Sequence, residues 1–523
     1  DSDDEDEDNA MEEDEFDDDD AFEDEYSDEL YSDDDDMSWK VRRACARCLS
    51  AVVEARPERT VNSYKTVAPV LIKRFSEREE NVRLDVFDAF RALLRQTRRL
   101  MPSAPRVTGV STSTTASAPA ASSDRLAAAL SDITPSLITA LSKQAKTKEA
   151  KTRLGALAVL RALVACASAK TLAPHAALLV ASVERSLAAS DKDGSNLRIE
   201  ALVLLRHLLS DADPQTYVPH VQTLTPLVVA AVGDGYYRVS ADALRTTAAL
   251  VPALAAAPRD ALVENVHTAV MAKMELADID QDVKEAAIAC LGQELALVGD
   301  SLEKQLPAAL SLLQERMCNE ITRLTAVVAL GVIARSSLHL DLSSILSDAT
   351  GELANLLRQA NRQLRQAVLI TLTDLAANYG KDKACHGKFK DVIAELPSLL
   401  SDTDLHLAHL ALQLATTLIK TYPKCASTAV DTLLEPLKTL IGSSLLQGVA
   451  LASVRSLCKQ LATDGKRAKK LVSELRELVA KDATLGGESG GVSAVAAGAA
   501  AQCVAEAASA GDAALVPGLV DTL

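Results

Sequence analysis

Cys45-Ala46-Arg47-Cys48 has the spacing that makes a dithiol in a redox fold and supplies half a ligand set in a zinc module. Two observations turn the pair away from chemistry. Val41, Cys45, Cys48 and Val52 recur at i, i+4, i+7 and i+11, one apolar stripe of a helix, and no second cysteine pair follows at zinc-finger distance. The spacing therefore predicts core packing. His406 and His409 lie one helical turn apart with Asp404 nearby, but the HExxH glutamate and a third imidazole are missing, so a solvated or half-buried helix face is the better reading. Gly486-Gly487-Glu488-Ser489-Gly490-Gly491 has glycines without a lysine after them or a strand before them, which makes it an inter-helix loop and not a phosphate cradle. The basic run Gly465-Lys466-Arg467-Ala468-Lys469-Lys470 reads as a charged helix start, with a nuclear-import signal as the alternative. No constellation for acid/base, nucleophilic or metal catalysis survives. The expectation is no enzyme, no cofactor and no metal.

The elements that carry these residues repeat. Each unit has an apolar, often proline-containing helix, a short Asp/Asn/Gly turn, and a second helix that opens with an aliphatic residue beside Arg or Lys. The second-helix openings SWKVRRACARCLSAVV, NVRLDVFDAFRALL, KTRLGALAVLRALV, NLRIEALVLLRHLL, YRVSADALRTTAAL, DVKEAAIACLGQEL, ITRLTAVVALGVIA and QLRQAVLITLTDLA align. They set Arg42, Arg83, Arg153, Arg198, Arg238, Lys284, Arg323 and Arg365 in one column, with steps of 41, 70, 45, 40, 46, 39 and 42. The long step holds a Ser/Thr/Ala/Pro linker of 23 residues, Met101 to Ser123, and without it falls to 47. Two further helix pairs, from about Cys385 and about Ser427, keep the apolar period without the basic residue. A period near 40 with two amphipathic helices per unit predicts an all-α HEAT-repeat solenoid, a curved superhelix of antiparallel helix pairs in which stacked hairpins share one core. Pro69, Pro135, Pro226, Pro307 and Pro397 fall in the first helices, where kinks would curve the outer layer. Acids precede the column: Asp191 and Asp193, Asp234, and Asp278, Asp280 and Asp282. This order predicts a structural ladder in which a turn carboxylate caps each second helix and pairs with a basic residue of the same or the next unit.

Composition agrees with many small interfaces: only 3% of residues are aromatic, and Leu, Ala and Val carry nearly all the apolar content. Nine scattered cysteines form no disulfide framework, which points to a reducing, intracellular compartment. The longest uncharged stretches contain His, Gln, Thr and Pro, so no membrane span is expected. The formal charge of −18 is misleading, because residues 1–36 hold 24 Asp or Glu and no Lys or Arg; the other 49 acids stand against 55 basic residues. Such a tract cannot offset its ordering entropy and self-repulsion by burial, and reads as a disordered anionic leash. It adjoins the most basic stretch, Met37 to Leu100, with 15 Lys or Arg against 7 acids, so an intramolecular contact screened by salt is expected. Nucleic-acid binding is disfavoured, since the positive charge is dispersed and the leash would compete for it. What remains is protein binding. On the helix from Val82 to Arg98, Asp88, Arg91 and Arg95 form a polar stripe opposite Val86, Phe90, Leu93 and Leu94, a candidate partner surface.

The stretches EYSDDDDMSWKVRRA, YKTVAPVLIKRFSEREENVRLDVF, SNLRIEAL, HVQTLTPLVVAAVGD, ADIDQDVKEAAIACLGQ, NEITRLTAVVAL, ELPSLLSDTDLHLA and SSLLQGVALAS resemble the middle portion of the cullin-associated neddylation-dissociated family, from about Glu25 to about Ser453. The resemblance implies a HEAT-repeat, monomeric scaffold that wraps an unmodified cullin and its RING subunit, blocks attachment of the ubiquitin-like modifier and speeds exchange of substrate receptors, in cytoplasm and nucleus. It implies a longer parent protein as well, and carries no contact residues over. An importin-like transport receptor is the rival reading, disfavoured because the spaced inner Trp and Asn of a signal-gripping groove are missing. A phosphatase-type scaffold would have more uniform repeats. The organisation expected is an acidic segment at 1–36, repeats at 37–100, the linker at 101–123, repeats at 124–483 and an Ala/Gly-rich incomplete set at 484–523.

Overall fold

The computed structural model describes residues 38–101, 120–188, 194–258, 260–276, 278–462, 471–475 and 492–510. The acidic segment, most of the Ser/Thr/Ala/Pro linker, the turn with Asp191 and Asp193, the basic run at 465–470 and the glycines at 486–491 lie outside them. Among the described residues every regular element is helical and there is no strand.

The second helices are Ser38–Ala55, Glu80–Leu100, Ala150–Val164, Gly194–Ser210, Tyr237–Ala256, Gln281–Val298, Arg323–Ala334, Arg362–Tyr379, Leu405–Thr421, Gly448–Leu461 and Val492–Ala510. Each packs on the next in chain order, and all eight members of the aligned basic column fall within the first five residues of their helices. Between them run the first helices, among them Ala120–Gln144, Ala176–Leu187, Val221–Val232, Asp260–Glu275, Leu306–Cys318, Ser343–Leu356 and Ala426–Ile441, which form a second, more sparsely touching layer. The layer with the closer packing must be the shorter arc, so the second helices line the inside of the curve.

Successive second helices from Glu80–Leu100 to Gln281–Val298 each contribute a fully buried leucine: Leu93, Leu160, Leu204, Leu244 and Leu291. At about 2 kcal/mol for a fully buried leucine, no single hairpin accumulates enough to offset its ordering entropy, but the shared side faces do. The buried residues accordingly form one continuous cluster from Ala46 to Ala507. Where aromatics do occur they gather: Phe75 meets Phe87 and Phe90 at ring-centroid distances of 5.1 and 5.6 Å. Starts are fixed locally, as where Asn361 accepts from the Leu364 amide and Asp404 from the Leu407 amide, both at 3.1 Å.

The prolines divide into two kinds. Pro135 and Pro226 are inside their helices, where the missing N–H can bend the axis. Pro69 and Pro307 sit instead in the opening turn of Ala68–Arg74 and Leu306–Cys318, and Pro397 opens the short turn Leu396–Leu399, positions whose amides have no intrahelical partner anyway.

The Val41, Cys45, Cys48, Val52 stripe is not core. Val41 is 65% and Val52 51% exposed, and both cysteines are exposed. Helix Ser38–Ala55 buries its other side, through Ala46 and Val53, on Glu80–Leu100, and among the described residues nothing packs on its outer side. The stripe was legible; what covers it was not.

Candidate interaction surface

Asp88, Arg91 and Arg95 all sit on the inner helix Glu80–Leu100. Arg91 donates to Asp88 on its own helix at 3.0 Å, while Arg95 crosses to Glu54 of the preceding second helix at 2.7 Å. Asp88 and Arg95 are exposed and Arg91 is half-buried.

The basic column divides by function. Arg42 reaches Glu77 at 3.3 Å and Arg198 reaches Asp234 at 2.6 Å, in each case a carboxylate in the turn before the following second helix. Arg83 is buried and faces the equivalent turn acid, Glu149, whose carboxyl is held below its ordinary value first by a backbone hydrogen bond and further by the Arg83 charge. Arg323 donates to the carbonyls of Met317 and Cys318, and Arg365 to that of Ala360, closing the turns of their own units. Arg238 donates to the Tyr237 hydroxyl at 3.0 Å. Arg153 is buried and Lys284 half-buried on their helices.

A second ladder, which the sequence pattern did not reveal, runs further along the same inner face. Arg43 and Arg47 share Asp85 at 2.8 and 3.2 Å; Arg161 meets Glu200 at 2.5 Å; Arg206 meets Asp242 at 3.0 Å; Arg245 bridges Asp242 and Asp282; Arg335 meets Asp374 at 3.0 Å; Arg455 meets Glu506 at 2.6 Å. Partners are separated by roughly one repeat, which is the only signal the sequence offers for them. Hydroxyls and amides stitch the same seam: Thr246 Oγ1 donates to the Leu202 carbonyl, Thr371 Oγ1 to that of Val327 and Asn378 Nδ2 to that of Ala334. Where Arg362 grips Asp404, its guanidinium holds that carboxyl down at about 2. Each exposed pair contributes little alone. A double-mutant cycle on Arg206→Ala and Asp242→Ala should give a coupling of about 0.5–1 kcal/mol in urea melts, shrinking as salt is raised. A coupling indifferent to salt would contradict an electrostatic seam.

Among the described residues this ladder has no ion pair between Glu80–Leu100 and Ala150–Val164, nor between Gln281–Val298 and Arg323–Ala334. Two residues after Arg83 and Arg198 stand Asp85 and Glu200, but two after Arg153 stands Gly155, so Arg91 finds no carboxylate in the following unit. A groove of about 520 Å³ runs across Glu80–Leu100, Ala150–Val164 and Gly194–Ser210 at this point. Leu84, Phe87, Leu154 and Ile199 floor it, and Asp88, Arg91, Lys151, Arg161 and Glu200 rim it.

The remaining chemical candidates are inert. Burial pushes the Cys166 and Cys385 thiols up to about 11, and pushes Cys290 well above the usual thiol range, the wrong direction for nucleophiles. All nine cysteines are free thiols. His409 bonds Ser453 Oγ through Nδ1 at 2.6 Å, Asp404 is taken by Arg362, and the described residues hold no cluster of three or more potential metal ligands. No helix among them is long and apolar enough to cross a membrane. One feature escaped the sequence reading altogether: His267 Nδ1 lies 3.3 Å from Glu294 Oε2, and both side chains are buried between neighbouring helices.

The geometry is that of a helical-repeat solenoid whose charged inner face is organised unit by unit. Solved structures agree on the fold: yeast importin-β (Kap95p) superposes with a TM-score of 0.53 at 12% identity, over 90% of this chain and 60% of that one. Kap95p solved with RanGDP superposes with a TM-score of 0.57 at 12% identity, over 90% and 61%. Sequence gives the closer kinship. A family profile described as "CAND1-like, TPR repeats" matches residues 172–291. "Cullin-associated NEDD8-dissociated protein 1" of Arabidopsis thaliana is 40% identical over 480 residues, 90% of this chain and 38% of that protein. Its Drosophila melanogaster namesake is 36% identical over 478 residues, 88% and 36%, and the Mus musculus protein 2 is 36% identical over 437 residues, 82% and 34%. The chain is thus a relative of the cullin-associated NEDD8-dissociated proteins and spans about a third to two-fifths of their length.

Proposed function

We propose that this chain is a non-enzymatic, cullin-binding scaffold that grips an unmodified cullin and its RING subunit on the inner face of the solenoid and takes part in the assembly and substrate-receptor exchange of cullin-RING ubiquitin ligases. The observation that carries this reading is the 40% identity, over 90% of the chain, to a protein named for its association with cullin. The physics is steric. A rigid arc laid along a partner covers the sites that a modifier or a receptor would need, and overlapping occupants each weaken the other's hold, so that a ternary intermediate dissociates readily either way. The chain acts as a monomer on a heterologous partner, in cytoplasm and nucleus, without cofactor, nucleic acid or membrane.

The test is size-exclusion chromatography and titration of the purified chain against unmodified cullin with its RING subunit. Co-elution is expected, and Arg91→Glu with Arg95→Glu should weaken the complex about tenfold or more, because the half-buried Arg91 and the exposed Arg95 then become anions that repel the surface their positive charges met. Failure of the unmodified cullin to bind at micromolar concentrations would sink the reading. Capture of a small GTPase with its cargo would replace it with that of a transport receptor.

A further inference from the structure

The groove over Gly155 has a chemistry of its own. Its floor is apolar and incompletely covered: Leu84, Leu154 and Ile199 are half-buried, while Phe87, buried, packs its ring against Gly155, where a Cβ would lie 2.7 Å from its Cδ2. Its rim is unbalanced. Arg161 is spent on Glu200, but Lys151 is exposed with no partner among the described residues, and the one partner of Arg91 is the exposed Asp88. An occupant should therefore present an apolar ring flanked by carboxylates.

One segment of this chain answers that description. Residues 1–36 carry Phe16, Phe22, Tyr26 and Tyr31 among 24 acids and no base. They join the body at helix Ser38–Ala55, which packs on Glu80–Leu100, which packs on Ala150–Val164. The junction and Leu84, Phe87 and Lys151 all lie in the first half of their helices, at the same end of the inner layer. Two helix spacings amount to about 20 Å, and the twelve residues from Tyr26 to Ser38 span up to ~40 Å extended, so Phe22 and Tyr26 reach the groove without strain. A tether of this length gives an effective concentration near millimolar, enough for a weak contact to be populated. Apart from Lys40 at the junction, the nearer cations of the inner layer are engaged: Arg42 with Glu77, Arg43 and Arg47 with Asp85, and Arg95 with Glu54.

We propose that the acidic segment docks in cis on the Gly155 groove, Phe22 or Tyr26 on the apolar floor and adjacent carboxylates on Lys151 and Arg91. Any partner seated on this part of the inner face must displace it, which makes the segment a built-in competitor whose hold weakens with salt.

Zero-length carbodiimide cross-linking of the full chain, at concentrations low enough to exclude contacts between copies, tests this. Lys151 should be joined to a carboxylate such as Glu23, Glu25 or Glu29. In the full chain carrying Phe22→Ser and Tyr26→Ser, with every acid retained, that link should fall about tenfold, while links to Lys40 at the junction stay unchanged. An unchanged thermal melt of this variant shows that a lost link does not come from a body that failed to fold. Absence of the Lys151 link overturns the proposal. A link that survives loss of both rings shows a contact of charge alone and overturns the groove; one that grows with protein concentration belongs to a second copy and overturns docking in cis.

Discussion

Replacing Gly292 by alanine is expected to destabilise the chain by about 1–3 kcal/mol, although alanine is the better helix former by about 1 kcal/mol. Gly292 lies inside helix Gln281–Val298, and a Cβ there would stand 2.7 Å from the Ala329 Cβ and 2.9 Å from its Cα. A flexible side chain could swing away, but the Ala329 backbone belongs to the next inner helix and yields only if the two helices part. Leucine at this position should cost more than alanine. Gly351→Ala is the control: it lies inside the first helix Ser343–Leu356, where the nearest atom is the end of Lys388 at 3.4 Å, and a gain of up to about 1 kcal/mol is expected. Because repeats couple mainly to neighbours, the damage should be local. Amide exchange in the Gly292→Ala protein should rise in Gln281–Val298 and Arg323–Ala334 and stay unchanged in Glu80–Leu100. Uniform acceleration along the chain, or a stabilised Gly292→Ala variant, would contradict a pinched contact between inner helices.

The contrast between these glycines shows where sequence reasoning stopped. Period, helix pairing and the basic column were legible because each is a local pattern repeated about every 40 residues, and repetition averages out the irregularity of any one unit. Which carboxylate a given arginine meets was legible only where the partner stood in the turn before the next helix, as with Arg42 and Glu77 or Arg198 and Asp234. Pairs in mid-helix, such as Arg206 with Asp242, depend on the rotation of each helix about its axis, which side-chain volumes set and a one-dimensional pattern does not record. The stripe through Cys45 and Cys48 failed for a related reason: periodicity marks an apolar face without saying whether a neighbour covers it. The Gly155 groove needed three helices at once, since a glycine in one unit matters only through the acid its counterparts carry in the units on either side.

Breaking the His267–Glu294 pair from the carboxylate side should be the costliest single polar change in the described body. Both side chains are buried, Glu294 completely, and among the described residues only the imidazole answers the carboxylate. Removing the carboxylate with Glu294→Ala deprives His267 of that partner and opens a cavity, for an expected loss of about 3–5 kcal/mol. Glu294→Gln should behave differently. Burial raises the Glu294 carboxyl above its ordinary value, against the opposing pull of the His267 hydrogen bond and charge. A raised carboxyl means that the folded chain holds the proton more tightly than the unfolded one. Its contribution to stability is therefore fully present below the unfolded value of 4.5 and is lost as pH rises through the higher folded value. Once ionised, the buried carboxylate works against the fold, and glutamine, with the same shape and a neutral amide, removes that opposition. Urea melts of the wild-type chain should then show stability falling with pH above about 4.5 over the range in which Glu294 ionises, a component absent from Glu294→Gln. At pH 7 the glutamine variant should be at least as stable as the parent to within about 1 kcal/mol, well above Glu294→Ala. Equal losses for the two variants would mean that the ionised pair itself holds these helices together; an unchanged pH dependence in Glu294→Gln would place the titrating group elsewhere.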